Sequence, residues 1–142
     1  MRSMPSGVRS MSVTSVVLDA SAVIAVLNSE PGAELVLGVL AGAVISAVNY
    51  SEVLKKTIER CQAIRPVSAL LQGYRVEIVP FDEALATTSA ELYPQTKAHG
   101  LSFADRACLA LGVQRNCKVF TSEKRMGLVS LPIKVKLIRN AH

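Results

Sequence analysis

No tryptophan occurs among the 142 residues, and tyrosine and phenylalanine occur three times each. So sparse a set of rings argues against an extended base-stacking platform for single-stranded nucleic acid. Histidine occurs twice, as His99 and the terminal His142. A histidine-rich transition-metal site is therefore not expected. The three cysteines, Cys61, Cys108 and Cys117, form no CxxC pair. An odd number without a disulfide framework points to a reducing cytoplasmic location, and zinc would need more clustered ligands. Cys61 and Cys108 fall on apolar helix faces and read as core residues. No GxSxG elbow is present, which leaves a serine hydrolase without its nucleophile turn. No run of about eighteen apolar residues avoids charge, so no membrane span is expected. The best candidate, residues 13–27, carries Asp19 in its middle.

Hydrophobic residues make up 50% of the chain. That composition and length suit one compact domain with a real core. Residues 1–12, MRSMPSGVRSMS, are basic, acid-free and without a long apolar segment. They do not fit a secretory signal and read as a flexible N-terminal extension, with Met1, Met4 and Met11 all possible starts. The domain proper is expected over residues 13–142. Sixteen Lys and Arg against eleven Asp and Glu give a net charge of +5. Such a balance attracts polyanions, nucleic acid among them, and acidic protein partners.

Short β-branched and apolar runs alternate with helical patterns along the chain. Strands are expected at Val13–Leu18, Ala43–Val48, Arg75–Pro80, Lys118–Thr121 and Ile133–Ile138. Helices are expected between them. Asp19 and Ser21 are candidate caps for the first. Asn49 would open one running to about Arg60, with Leu54, Ile58 and Cys61 on its apolar face. Asp82 would cap another, with Ala86, Ala90 and Tyr93 aligned. Ser102 would open the next, burying Ala104, Ala107, Cys108 and Leu111. This alternation predicts an α/β/α domain of three layers around a parallel sheet of about five strands.

Four acids stand at informative places in that pattern. Asp19 follows the first strand, and Glu123 follows the fourth. Glu52 is expected in the first turn of the helix after the second strand, and Asp105 in the first turn of the helix from Ser102. Sites in parallel α/β sheets lie beyond the carboxyl ends of the strands. Each acid also has a plainer reading. Asn49–Glu52 and Ser102–Asp105 match capping boxes, Asp19 can be a helix cap, and Glu123 a solvated loop acid. Convergence would set them apart from caps. Two carboxylates about 5 Å apart repel by roughly 3 kcal/mol at an effective dielectric of about 20, and a divalent cation removes that cost. An all-oxygen ligand set selects a hard ion, Mg2+ or Mn2+. Lys55, Lys56, Arg106, Lys124 and Arg125 lie near these acids and are candidates for phosphate contact; Arg106 could instead orient a neighbouring acid.

The segments VVLDASAVIAVL around Asp19, NYSEVLKK around Glu52, GLSFADRACLALG around Asp105 and VFTSEKRM around Glu123 resemble the PIN domain family. They resemble most the VapC-like toxins of bacterial type II toxin–antitoxin pairs. The resemblance runs from Val13 to Ile138 in order and spacing. It implies a sheet ordered 3-2-1-4-5 and Mg2+- or Mn2+-dependent endonucleolytic cleavage of RNA. It implies that Asp19, Glu52, Asp105 and Glu123 hold the metal, with Ser21 and Thr121 supporting them by hydrogen bonds. It further implies a homodimer and a cognate antitoxin whose C-terminal segment covers the acidic groove. The fourth acid departs from the family pattern: Thr121-Ser122-Glu123 carries Glu where the family usually has Asp.

Other classes fit less well. An aspartyl phosphatase wants DxD after the first strand, and here the second position is Ser21. A phospho-acceptor receiver-like domain could use Asp82 after the third strand, but such domains carry paired acids after strand one. A non-catalytic PIN-like module that binds RNA or protein would be expected to have lost its acids, and they are present.

Overall fold

The computed structural model describes residues 15–139. The expected extension, residues 1–12, lies outside the described residues, as does His142. The elements run β1 (Val17–Leu18), α1 (Ala20–Leu27), α2 (Ala33–Leu37), β2 (Val44–Ser46), α3 (Ala47–Glu59), α4 (Arg65–Gly73), β3 (Glu77–Val79), α5 (Glu83–Glu91), α6 (Tyr93–Lys97), α7 (Phe103–Arg115), β4 (Val119–Thr121) and β5 (Val135–Leu137). A 3-10 turn, Lys124–Leu128, links β4 to β5.

All neighbouring strands are parallel and the order is β3-β2-β1-β4-β5. The strands are shorter than the apolar runs that announced them, because several flanking residues are taken into caps and turns.

Successive strand residues face opposite sides of a sheet, and this alternation builds two cores. Val17, Val44, Val79 and Val119 pack with Leu85 of α5 and with Leu109 and Leu111 of α7. Leu18, Ile45 and Phe120 pack with Val23 of α1, Val36 of α2, Val53 of α3 and Leu71 of α4. Each fully buried Val, Leu or Ile stabilises the fold by about 1.5–3 kcal/mol. The sheet is thus covered on both faces, and its functional end is the one where β1, β2 and β4 run out.

Several local expectations are corrected. Helix α3 starts at Ala47, because the Ser46 side chain accepts from Val48 N at 3.0 Å and caps it. The Asn49–Glu52 pair is therefore no capping box, and Glu52 stands beyond the first turn. This earlier start rotates the buried face onto Asn49, Val53 and Thr57. Ile58 is 61% exposed and Cys61 is exposed at φ 58°, so Cys61 is not a core residue. Cys108 is buried as expected. Along α5, α6 and the single residue between them the buried positions are Leu85, Ser89, Leu92 and Thr96. Ala86, Ala90 and Tyr93 face outward; the larger Leu side chains win the core position over alanine.

Candidate active site

Asp19 sits at the N-cap position of α1 but does not cap it. It is 5% exposed. Its Oδ2 accepts from Thr121 Oγ1 at 2.7 Å and from Ser21 Oγ at 2.8 Å. Each hydroxyl oxygen in turn accepts a backbone N–H: Ser122 N donates to Ser21 Oγ at 2.9 Å, and Glu123 N to Thr121 Oγ1 at 2.9 Å. With their oxygens so engaged, both hydroxyls point their protons at Asp19. The two supporting residues expected from the sequence are thus placed against the first acid. Burial still pushes the Asp19 carboxyl above its ordinary range; the two hydroxyls oppose that shift, and the charge of Asp105 adds to it.

Asp105 lies in the first turn of α7, in the capping box the sequence predicted. Ser102 Oγ accepts from Asp105 N at 3.2 Å, and Asp105 Oδ2 accepts from Ser102 N at 2.9 Å. Glu52 reaches the same place from α3. Burial, then the charges of Asp19, Asp105 and Glu52, push the Cys108 thiol well up.

A cleft of about 600 Å3 opens over these groups. It is lined by Asp19, Ser21, Glu52, Asp105 and Glu123, with Lys56, Lys124 and Arg125 among them. The four expected acids are therefore brought to one cleft at the carboxyl end of the sheet. Glu123 differs from the other three. Its Oε2 accepts from Arg125 N and Nε at 3.0 Å each, and its Oε1 from Arg125 Nη2 at 3.0 Å. That grip holds its carboxyl below the usual range. Arg125 also donates to Gly100 O at 3.2 Å, bridging the cleft's two walls. Gly100, at φ +66°, keeps its own side open, since a Cβ there would stand 3.0 Å from Arg125 Nη1.

Among the described residues no three acidic, histidine or cysteine groups stand close enough to form a finished ligand set. The donor chemistry nonetheless fits a hard divalent ion: all-oxygen groups in one cleft, one of them a buried carboxylate whose hydrogen-bonded partners are neutral hydroxyls. Asp19, Glu52 and Asp105 fit directly, and Glu123 fits only by releasing Arg125.

The candidate cations divide. Lys56, Lys124 and Arg125 line the cleft. Lys55 pairs with Glu59 at 3.5 Å on exposed surface. Arg106 does not orient an acid; its guanidinium lies over the Tyr93 and Phe103 rings. Asp82 accepts from Leu85 N at 3.0 Å and caps α5, outside the cleft lining, so the receiver-like reading loses its acceptor.

Sequence reasoning missed Asn49 as a tie between helices. It is 0% exposed, and its Nδ2 donates to Ala104 O at 3.0 Å. That bond joins α3, one turn before Glu52, to α7 beside Asp105. The available signal was a polar residue in line with Val53 and Thr57 at helical spacing.

The model of the PIN domain matches residues 16–130. The chain belongs to the PIN domain family. A search among curated proteins finds no match to it. Solved structures of similar fold include a chain of a toxin–antitoxin complex from Klebsiella pneumoniae, 19% identical with a TM-score of 0.66, covering 84% of this chain and 99% of that one. Another belongs to DNA-bound VapBC from Salmonella typhimurium, 16% identical with a TM-score of 0.67, covering 89% and 100%. A third belongs to FitAcB from Neisseria gonorrhoeae, 25% identical with a TM-score of 0.53, covering 84% and 95%. These likenesses show a shared fold over 84–89% of this chain. No helix among the described residues is long and apolar enough to cross a membrane.

Proposed function

We infer that this PIN domain is a Mg2+- or Mn2+-dependent endoribonuclease and the toxin of a toxin–antitoxin pair. The observation that carries the nuclease reading is the convergence of Asp19, Glu52 and Asp105, from three separate elements, on one cleft edged by Lys56, Lys124 and Arg125. The toxin reading and its antitoxin partner rest on the fold neighbours, which include a toxin–antitoxin complex and VapBC. The resemblance of the four motifs supports both, and the homodimer with them.

Asp19, Asp105 and Glu52 are the residues that would hold the ion. When bound, such an ion lowers the pKa of a water and orients it for in-line attack on phosphorus. Ser21 and Thr121 keep the Asp19 carboxylate in one orientation. Glu52 is the group assigned to accept the proton, because Asp19 is held by two hydroxyls and Asp105 by Ser102 N. The three cations at the cleft draw the phosphate backbone, and Arg125 is released to do so if Glu123 turns to the ion.

Thr121→Val tests the support. It removes a hydroxyl from a buried carboxylate and leaves Glu123 N–H without its acceptor. RNA-cleavage rate is expected to fall about 10- to 100-fold, as for partners of metal ligands generally. Thr121→Ser, which keeps the hydroxyl, is expected to stay within a few-fold of wild type by the same principle. Equal rates in Val and wild type would remove Thr121 from the machinery.

The toxin reading is tested by induced expression in a bacterial host, with sequencing of RNA ends. Growth arrest with new internal RNA ends is expected. An Asp105→Asn chain at equal abundance should give neither. Arrest of equal strength by the variant, or arrest without new ends, would overturn the reading.

A further inference from the structure

The protein has few aromatic rings, yet three of the six stand together, with Phe103 among them at the start of the helix that carries Asp105. Phe103 packs edge to face on Phe81, with centroids 5.5 Å apart and planes at 83°. The Arg106 guanidinium carbon lies 5.3 Å from the Tyr93 centroid and 5.9 Å from that of Phe103. Lys97 Nζ lies 5.8 Å from the Tyr93 centroid. Tyr93 and Phe103 are 51% and 50% exposed, more than any other ring of the chain. Arg106 Nε is buried without a hydrogen-bond partner among the described residues.

This arrangement serves the core poorly. Two half-exposed rings leave apolar surface in water, and an unpaired buried donor costs about 1–3 kcal/mol. Phe103 and Arg106, however, lie on the helix that carries Asp105. Phe103 and Arg106 are one turn apart on α7, and Ser102 and Asp105, which line the cleft, are one turn apart on its adjoining side. The Phe103 ring is thus separated from the Asp105 carboxylate by about one helix diameter, ~10 Å.

We propose that Phe103, Tyr93 and Arg106 form a stacking shelf for an unpaired nucleobase of the RNA strand whose backbone enters the cleft. The proposal rests on the nuclease reading and adds to it a base-binding subsite outside the acidic cleft. Every base has a π face that stacks on an aromatic ring or on a guanidinium plane. Lys97 and Arg106 supply positive charge for the adjoining phosphates. In an A-form duplex the bases are stacked inside and cannot reach such a shelf. A second copy of this chain is a poorer occupant, because a two-fold contact through this patch sets two positively charged patches face to face.

The test compares wild type, Phe103→Leu and Phe103→Trp. Leucine keeps apolar volume against Phe81 but has no π face; tryptophan keeps the face. Binding is measured in EDTA, so that no cleavage intervenes, to a fluorescein-labelled single-stranded RNA of about twelve nucleotides and mixed sequence. The same strand without bases, and a hairpin duplex, serve as the other probes. Each unstacked base is expected to cost ~1–3 kcal/mol, or about fivefold to a hundredfold in affinity. Phe103→Leu should therefore bind the strand at least about fivefold more weakly. Phe103→Trp should match wild type. The baseless strand and the duplex should not distinguish the three proteins. Equal affinity of Leu and wild type for the single strand would overturn the shelf. So would loss by Phe103→Leu of a dimer that wild type forms in light scattering, which would give the patch to a second copy. Phe103-dependent binding without Mn2+-dependent cleavage by wild type would leave the shelf standing and sink the nuclease reading. Cleavage with the same KM in Leu and wild type would do the reverse.

Discussion

Asp105→Asn is expected to fold and to lose nearly all Mn2+-dependent RNA cleavage. Asparagine keeps the volume and can still accept from Ser102 N through its amide oxygen, so the capping box of α7 is weakened rather than removed. Loss of a cap costs about 1 kcal/mol, which circular dichroism and a melting curve will register as a modest change. Activity answers to a different quantity. A neutral amide in place of a carboxylate removes charge from the cleft that Asp19, Glu52 and Asp105 line. A divalent ion supplies several kcal/mol of transition-state stabilisation, so a site that no longer retains it should be slower by about a thousandfold. The expected signature is a folded protein, slightly less stable, with a rate at least two to three orders lower on that same arithmetic. Cleavage at the wild-type rate by a folded Asp105→Asn protein would remove Asp105 from the site.

Asp19→Asn is expected to change stability in opposite senses with and without metal. Burial makes the Asp19 carboxyl hold its proton to higher pH in the folded protein than the ordinary value of 3.8. The folded state is then favoured at low pH and loses stability as pH rises from that value through the folded pKa. Above its folded pKa the metal-free fold carries a carboxylate whose charged form burial and the charge of Asp105 both disfavour. Asparagine removes the charge and can still accept from Ser21 and Thr121. In EDTA at pH 7 the variant should therefore melt at or above wild type. In Mn2+ the order should reverse. At a hundredfold excess over Kd an ion stabilises its site by about 2.7 kcal/mol, or about 5–10 °C for a domain of this size. Wild type should gain that shift and Asp19→Asn should not. A wild-type melting point unmoved by millimolar Mn2+ would contradict the site, and an equal gain in both proteins would place the ion elsewhere.

The sheet and its order were legible because apolar, β-branched runs recur at βα spacing, and because the four motifs resemble one family over most of the chain. Asp19 was legible for a reason of topology: an acid directly after a buried strand stands at the sheet's carboxyl end. Helix registers were less so. Ser46 and Asn49 both have cap chemistry three residues apart, and only the backbone path, which leaves β2 at Ser46, decides between them. The same ambiguity misplaced Glu52 by a turn and put Ile58 and Cys61 on the wrong face. Ala86 and Ala90 aligned well with Tyr93, yet Leu85 and Leu92 bury more surface and took the interior. Glu123 was found by its motif. Its pairing with Arg125 depends on a turn that the three residues Thr121-Ser122-Glu123 do not specify. Asn49 escaped notice because its partner, Ala104 O, is 55 residues away in the chain.

The account stands most directly on the chemistry of the cut ends. Purified wild type is given a single-stranded RNA in isotopically heavy water, with Mn2+ or with EDTA, and the product ends are weighed by mass spectrometry. Attack by water on phosphorus leaves a linear terminal phosphate carrying one heavy oxygen. The account predicts such ends in Mn2+, none in EDTA, and none from Asp105→Asn. Ends in the 2′,3′-cyclic form, or equal cleavage in EDTA and by Asp105→Asn, would contradict it.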